Sequence, residues 1–222
     1  MKPYFQDDAV TIYHGRCEDI LPQLREQKIG LVATDPPYNV GKDYGVASDS
    51  LSPVDYEKQM GLAVAFSTLL CENQVWVAPR YKLAFWLSLL PDSHLIVVER
   101  KAAGPFRQGW SDQFEVVLAT GKPNKCYRDL WQDIRLKGEG YFFREDSYDH
   151  PGYTPELIFT RSISLLSEVG EVVVDPFMGT GTSGVAAKKL GRKYIGIEAD
   201  EKWCRVAIER FRQSVMPLQE RP

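Results

Sequence analysis

The segment with the most chemical promise is Asp35-Pro36-Pro37-Tyr38, which follows the apolar run Leu31-Val32-Ala33-Thr34. Two prolines fix two φ angles and remove two N–H donors, so the backbone is stiff where the run ends. The Asp35 carboxylate and the Pro36 carbonyl are then two acceptors on a rigid turn. Such a pair suits a poor nucleophile, an exocyclic amine whose lone pair is delocalised into a nucleobase ring. Accepting from both amine hydrogens favours a tetrahedral nitrogen and localises the lone pair for in-line attack. Tyr38 adds a ring face on which a base extruded from its stack can lie. Without that chemistry, the same residues make a tight turn with a packed tyrosine.

A second segment, Glu171–Ser183, carries an apolar strand into Asp175-Pro176-Phe177-Met178-Gly179-Thr180-Gly181-Thr182. Gly179 and Gly181 allow tight turning and close approach to a ligand, and a helix beginning near Ser183 offers free amide donors. A further strand, Lys193–Ile197, ends at Glu198, 19 residues after Gly179. In nucleotide-binding βαβ units an acid at that distance holds ribose hydroxyls. A nicotinamide-dependent oxidoreductase shares this pattern, but Asp175-Pro176 is foreign to its fingerprint and it has no role for Asp35–Tyr38. The phosphate loop GxxxxGK[ST] is missing from the sequence.

Both segments need strands ending at a common edge. Short apolar runs at Gly30–Thr34, Gln74–Ala78, Leu95–Glu99, Phe114–Thr120, Glu171–Asp175 and Lys193–Glu198 show little alternation, as strands buried on both faces do. Helical patterns fall between them, at Val54–Cys71, Tyr81–Leu90, Pro155–Ser167, Ser183–Leu190 and Asp200–Gln213. The expectation is an α/β, doubly wound sheet. Asn39–Pro53, rich in Gly, Ser and Asp, reads as a long mobile loop. Lys101–Pro151 is too long for an ordinary connection.

Composition narrows the class. The 222 residues, 44% hydrophobic and 26% charged, suit one large domain or two tight small ones and exclude a disordered chain. Four scattered cysteines (Cys17, Cys71, Cys126, Cys204) and three dispersed histidines lack metal-ligand spacing, so free thiols and no metal site are expected. No apolar run has the length of a membrane span or the character of a signal peptide. A cytoplasmic protein is therefore expected. The net charge of −3 hides an asymmetry: residues 100–144 hold 9 basic and 5 acidic side chains, between two acidic flanks. A basic segment inside an acidic chain is a candidate phosphate contact.

Asp175-Pro176-Phe177-x-Gly179-x-Gly181-Thr182 and Asp35-Pro36-Pro37-Tyr38, in that permuted order with DPPY first, resemble the β-class of N6-adenine or N4-cytosine DNA methyltransferases. The resemblance covers about residues 10–40, the sheet to Thr120, and His150–Phe211. His14–Leu21 is similar to the segment that meets the cofactor adenine, with Arg16 where the family usually has an acid. His150-Pro151-Gly152-Tyr153-Thr154-Pro155 resembles the family's HPxQKP segment, with Tyr153 and Thr154 in place of Gln and Lys.

The resemblance implies a Rossmann-like methyltransferase sheet in a single domain, 1–222, with a short target-recognition insert at 101–149. It implies S-adenosylmethionine as cofactor, held by Cys17, Asp35, His150, Pro151, Asp175, Pro176, Phe177, Gly179, Gly181, Thr182 and Glu198. Asp35, Pro36, Pro37 and Tyr38 are the implied catalytic residues. The implied partner is double-stranded DNA, with RNA also open. The protein would be a bacterial, archaeal or phage-encoded monomer or homodimer of restriction-modification type. DPPY leans to adenine N6, where SPPY would lean to cytosine N4; NPPY would have pointed to protein glutamine. In the insert, Arg107, Lys122, Lys125, Arg128, Arg135, Lys137 and Arg144 are candidate DNA contacts, interleaved with aromatics such as Trp131 and Tyr141 that could support base extrusion.

Overall fold

The computed structural model describes residues 1–41, 43–44, 47–48, 50–99, 106–107, 110–111, 114–132 and 154–213. In chain order the elements begin with β1 (Phe5–Gln6), β2 (Val10–His14), α1 (Cys17–Ile20) with a 3-10 turn (Leu21–Leu24), and β3 (Ile29–Thr34). Next come the short pair β4 (Asp43–Tyr44) and β5 (Ala47–Ser48), α2 (Pro53–Leu70), β6 (Gln74–Ala78), and a 3-10 turn (Arg80–Lys82) into α3 (Leu83–Leu89). After β7 (His94–Glu99) follow the pair β8 (Phe106–Arg107) and β9 (Trp110–Ser111), then β10 (Phe114–Thr120) and β11 (Leu130–Trp131). The last elements are α4 (Glu156–Leu166), β12 (Val172–Asp175), α5 (Thr182–Lys189), β13 (Lys193–Glu198) and α6 (Glu201–Gln213).

Nine strands form one sheet in the order β1-β2-β13-β12-β3-β6-β10-β7-β11. The run from β2 to β6 is wholly parallel. β3 and β6 are buried at every position, because helices cover both faces. Leu31, Ala33, Val75 and Val77 face the core under α4, α5 and α6, together with Ile163, Ala186 and Phe211. Val32, Trp76 and Ala78 face the opposite core, with Met60, Val64 and Trp86 of α2 and α3. The period of two along each strand thus feeds two separate layers.

The doubly wound expectation holds, and all six expected strands are present, but three features differ from the sequence reading. β10 is antiparallel to both neighbours, β6 and β7. A strand buried on both faces has the same apolar pattern in either direction. β10 is also a central strand, so the stretch expected as an insert is interrupted by the main sheet, and among its described strands the β8–β9 pair stands outside that sheet. Finally, Asn39–Pro53 is not one open loop. The Asn39 side chain exchanges two hydrogen bonds with the Leu51 backbone, at 3.0 and 2.8 Å, and β4 pairs with β5 between them. Ser52 caps α2 through the Asp55 amide, with Pro53 in its first turn. No helix among the described residues is long and apolar enough to cross a membrane.

Candidate active site

Because β2, β13, β12, β3 and β6 are parallel, their carboxyl ends share one edge of the sheet. His14, Glu198, Asp175, Thr34 and Ala78 end there, which is where open α/β sheets bind ligands. β12 lies beside β3, so the two sequence segments meet. Thr34 Oγ1 donates to Asp175 Oδ1 at 2.5 Å, across 141 positions of chain.

Asp175 is the knot of this junction. It is 2% exposed and also accepts from the Ser183 hydroxyl at the start of α5 and from the Phe177 amide at 2.9 Å. Ser183 in turn meets the Tyr194 hydroxyl at 2.9 Å. Burial pushes the Asp175 carboxyl up to about 6 despite these donors. Its oxygens are thus committed inside the protein: the residue ties the Asp35 turn to the glycine loop, and Pro176 beside it is buried.

Asp35 and Tyr38 are half-buried on the adjoining turn. Burial, and next the negative charge of Asp35, push the Tyr38 hydroxyl well above the usual tyrosine range, and the two side chains interact directly. The Thr154 hydroxyl donates to Asp35 Oδ2. Tyr81, exposed in the 3-10 turn after β6, donates to the Tyr38 carbonyl at 3.4 Å. Beside it lies a hollow of about 280 Å³ lined by Tyr56, Tyr81, Lys82 and Phe85 among others.

The glycine loop is held from three sides. Gly179 and Gly181 have φ of 53° and 79°, where an L side chain is strained. A Cβ on Gly181 would come within 2.6 Å of Phe211 Cζ. Met178 is buried against β13 at Gly196. From α6, the buried Arg210 guanidinium donates to the Thr180 carbonyl and hydroxyl, both at 2.9 Å, and to the Thr182 hydroxyl at 3.1 Å.

Glu198 closes the edge. It accepts from the Gly179 amide and the Asp200 amide, both at 2.8 Å. Burial pushes its carboxyl up to about 7. A carboxylate has about four acceptor sites, so two sites stay available for a diol. A half-buried acid beside a left-handed glycine loop fits the ribose and methionine ends of the expected cofactor. Cys17, by contrast, points its thiol into the core, and burial raises that thiol well above its ordinary range. It can offer a ligand only its backbone.

The other expected residues separate by edge. Glu99 pairs with Phe114 at the edge that carries Asp35, so the connection carrying β8, and Arg107 within it, starts and ends there. Lys122 and Lys125 follow β10 at the opposite edge, near the α4 carboxyl end, where Asn124 bonds Leu165 and Ser164, and Arg128 leads into β11, which runs back alongside β7. All three are exposed. Trp131 is a correction: at 1% exposure it is core, with its indole N–H donating to the Arg128 carbonyl at 3.0 Å, so it cannot reach a base. Arg135, Lys137, Tyr141, Arg144, His150 and Pro151 lie outside the described residues. Sequence reasoning missed Arg80, Tyr81, Lys82, Thr154 and Arg210. An Arg-Tyr-Lys turn after a buried strand was a usable signal for the first three. Thr154 had its place in the His150–Pro155 segment as a signal, but not its partner 119 positions away, and Arg210 had none, its partners lying about thirty positions away.

A fold with an acidic turn and a left-handed glycine loop on adjacent strands defines a nucleotide-cofactor enzyme acting at that edge. The DNA methylase family of N6/N4 type matches residues 92–209, and the chain belongs to it. It is similar to the type II methyltransferase M.HpaI of Haemophilus parainfluenzae, 26% identical over 226 residues, covering 86% of this chain and 70% of that one. Its fold is like that of M1.HpyAVI in complex with SAM, with a TM-score of 0.67 and 22% identity over 91% and 98% of the two chains. It is also like that of the cytosine-N4-specific PvuII DNA methyltransferase, with a TM-score of 0.72 and 16% identity over 99% and 91%.

Proposed function

We propose that this DNA methylase transfers the methyl group of S-adenosylmethionine to the N6 amine of an adenine flipped out of double-stranded DNA. The observation that carries the reading is the Thr34–Asp175 tie, which sets the Asp35 turn beside the glycine loop. Bound S-adenosylmethionine supplies an electrophilic methyl on a sulfonium centre. The chain's own residues do the rest. Glu198 accepts from the ribose hydroxyls, and the backbone at Gly179–Thr182 lines the methionine end. Asp35 and the Pro36 carbonyl accept hydrogen bonds from the two amine hydrogens, and their fixed placement favours the tetrahedral nitrogen of the transition state. As the N–C bond forms the methyl–sulfur bond would break, and the one proton the amine loses would leave by way of the Asp35 carboxylate. Tyr38, carried by the stiff Pro36-Pro37 turn, stacks on the base.

In this reading the chain is one catalytic domain, and the connection through β8–β9 takes part in target recognition. Arg80 and Lys82 are the described cations next to the Tyr38 turn. Arg80 lies 5.7 Å from the Phe114 ring centroid and Lys82 lies 4.7 Å from that of Tyr56, so their heads are held in place. We assign the near part of the DNA backbone to them and to Arg107. Lys122 and Lys125 stand a strand length away, roughly 15–20 Å for five residues, and are less suited to the same duplex.

The test is methylation of mixed-sequence DNA in vitro, followed by nucleoside mass analysis and sequencing of the modified positions. N6-methyladenine is the expected product. N4-methylcytosine would establish the second reading, favoured by the fold shared with a cytosine-N4-specific enzyme. Tight binding of NADH with none of S-adenosylmethionine would overturn both.

A further inference from the structure

We infer that Thr154 is a positioning residue for Asp35. This rests on the reading of Asp35 as the acceptor for the target amine. Thr154 immediately precedes Pro155 and α4, and it is 8% exposed. Its hydroxyl donates to Asp35 Oδ2 from 119 residues further along the chain.

Three features make this contact directional. A β-branched side chain is stiff at χ1. The following proline restricts the Thr154 backbone. α4, which starts two residues later, packs Ile158, Phe159 and Ile163 into the same core as Leu31 and Ala33 of β3. The hydroxyl is therefore delivered from one rigid element to a carboxylate mounted on another. The Tyr38 phenol already meets the Asp35 carboxylate from within the same turn, and Thr154 adds a hold from a second element. With one oxygen held by Thr154, the plane of the carboxylate is set relative to the Pro36 carbonyl, whose direction Pro37 restricts by holding the residue before it to extended ψ. An acceptor pair works only when both members are aimed at the amine together, within about 0.5 Å and 10–20°.

The decisive comparison is Thr154→Ser against Thr154→Ala, which differ only in the hydroxyl, with Thr154→Val as the isostere of the native residue. Steady-state methylation of duplex DNA is measured for each, alongside wild type, with calorimetry for S-adenosylmethionine. Alanine and valine are expected to lower kcat by roughly ten- to a hundredfold, the cost of a misplaced reacting group. KM for DNA and the cofactor affinity should stay within about twofold, since neither site uses the hydroxyl. Serine should restore most of kcat. Wild-type kcat in the alanine and valine variants would overturn the inference. So would serine and alanine variants that fall together, or a loss confined to cofactor binding. If valine lowers the melting temperature, the serine–alanine pair still decides. An inactive wild type on DNA would instead count against the proposed function, so the two failures are distinguishable.

Discussion

Asp35 and Tyr38 are neighbours in chemistry as well as in sequence. The carboxylate touches the phenol, so the tyrosine is more than a stacking face. Asp35→Ala should lower kcat by at least about a hundredfold, the lower end for a preorganised electrostatic group, while calorimetry shows S-adenosylmethionine binding largely kept. Near-normal turnover would make Asp35 a turn residue only. Tyr38→Ala should cost more than Tyr38→Phe, because base stacking is worth roughly 1–3 kcal/mol. The Phe variant should still lose a smaller part of kcat through the missing contact with Asp35; equal losses would shift the main role to the hydroxyl. Glu198 adds a pH signature. Its carboxyl is pushed up to about 7 in the ligand-free protein, and ribose hydroxyls donate best to the ionised form. Affinity for S-adenosylmethionine should therefore rise with pH across about 7 and level off above it. Glu198→Gln should flatten that rise and weaken binding at pH 8 by roughly ten- to a hundredfold, the worth of a hydrogen bond to a charged group. An unchanged pH slope in the variant would sink the assignment.

At the scale of elements, the buried Asp175 joins β3, β12 and α5. Its folded carboxyl titrates near 6 and that of Glu198 near 7, both above the ordinary values of about 4 in an unfolded chain. Between those values the folded state binds more protons than the unfolded one, so stability falls as pH rises from about 4 to about 7. Thermal melts of the ligand-free protein should show that slope. Asp175→Asn should remove the part below about pH 6 and keep the fold, because an amide can still accept from Thr34. Asp175→Ala should cost more, since it leaves the buried Thr34 hydroxyl without its acceptor, at about 1–3 kcal/mol, while Ser183 keeps only the Tyr194 hydroxyl. A melting temperature that Asp175→Ala does not lower would argue against the knot. The glycine loop depends on elements in the same way. Phe211 of α6 leaves no room for a Cβ at Gly181 or Gly184, and Arg210 from the same helix bonds the loop's threonines.

Across the whole molecule, the direction of β10 sorts the charges. It starts at the edge that carries Asp35 and ends at the other, carrying Lys122 and Lys125 away from Asp35. Neutralising Arg80 or Lys82 should weaken DNA binding across all sequences. It should also flatten the dependence of log K on log salt by about 1 per lost phosphate contact. Neutralising Lys122 and Lys125 together should leave both quantities nearly unchanged. The reverse result would place the DNA on the far edge and separate binding from the Asp35 turn.

Much of this was legible along the chain, because it depends on local chemistry. Proline geometry marked the Asp35 turn, left-handed freedom marked Gly179 and Gly181, and unbroken valine-rich runs marked six strands within a residue or so. The acid Glu198 follows from the length of a βαβ unit. What the chain could not state is which strands lie side by side. Burial on both faces erases the alternation that would reveal direction, so β10 read like its parallel neighbours. β2, Val10-Thr11-Ile12-Tyr13-His14, has strand-forming residues and was legible, though it is not among those six; the two-residue strands β1 and β11 are too short to have a pattern. The Thr34–Asp175 tie, the reach of Thr154 to Asp35, the clamp of Arg210 on the loop and the burial of Trp131 all join residues far apart in sequence. Such contacts follow from strand order and helix packing, which are settled by competition among all apolar faces for one core. The sequence alone therefore determined the chemical parts of this DNA methylase, and only the tertiary structure decided which parts face one another.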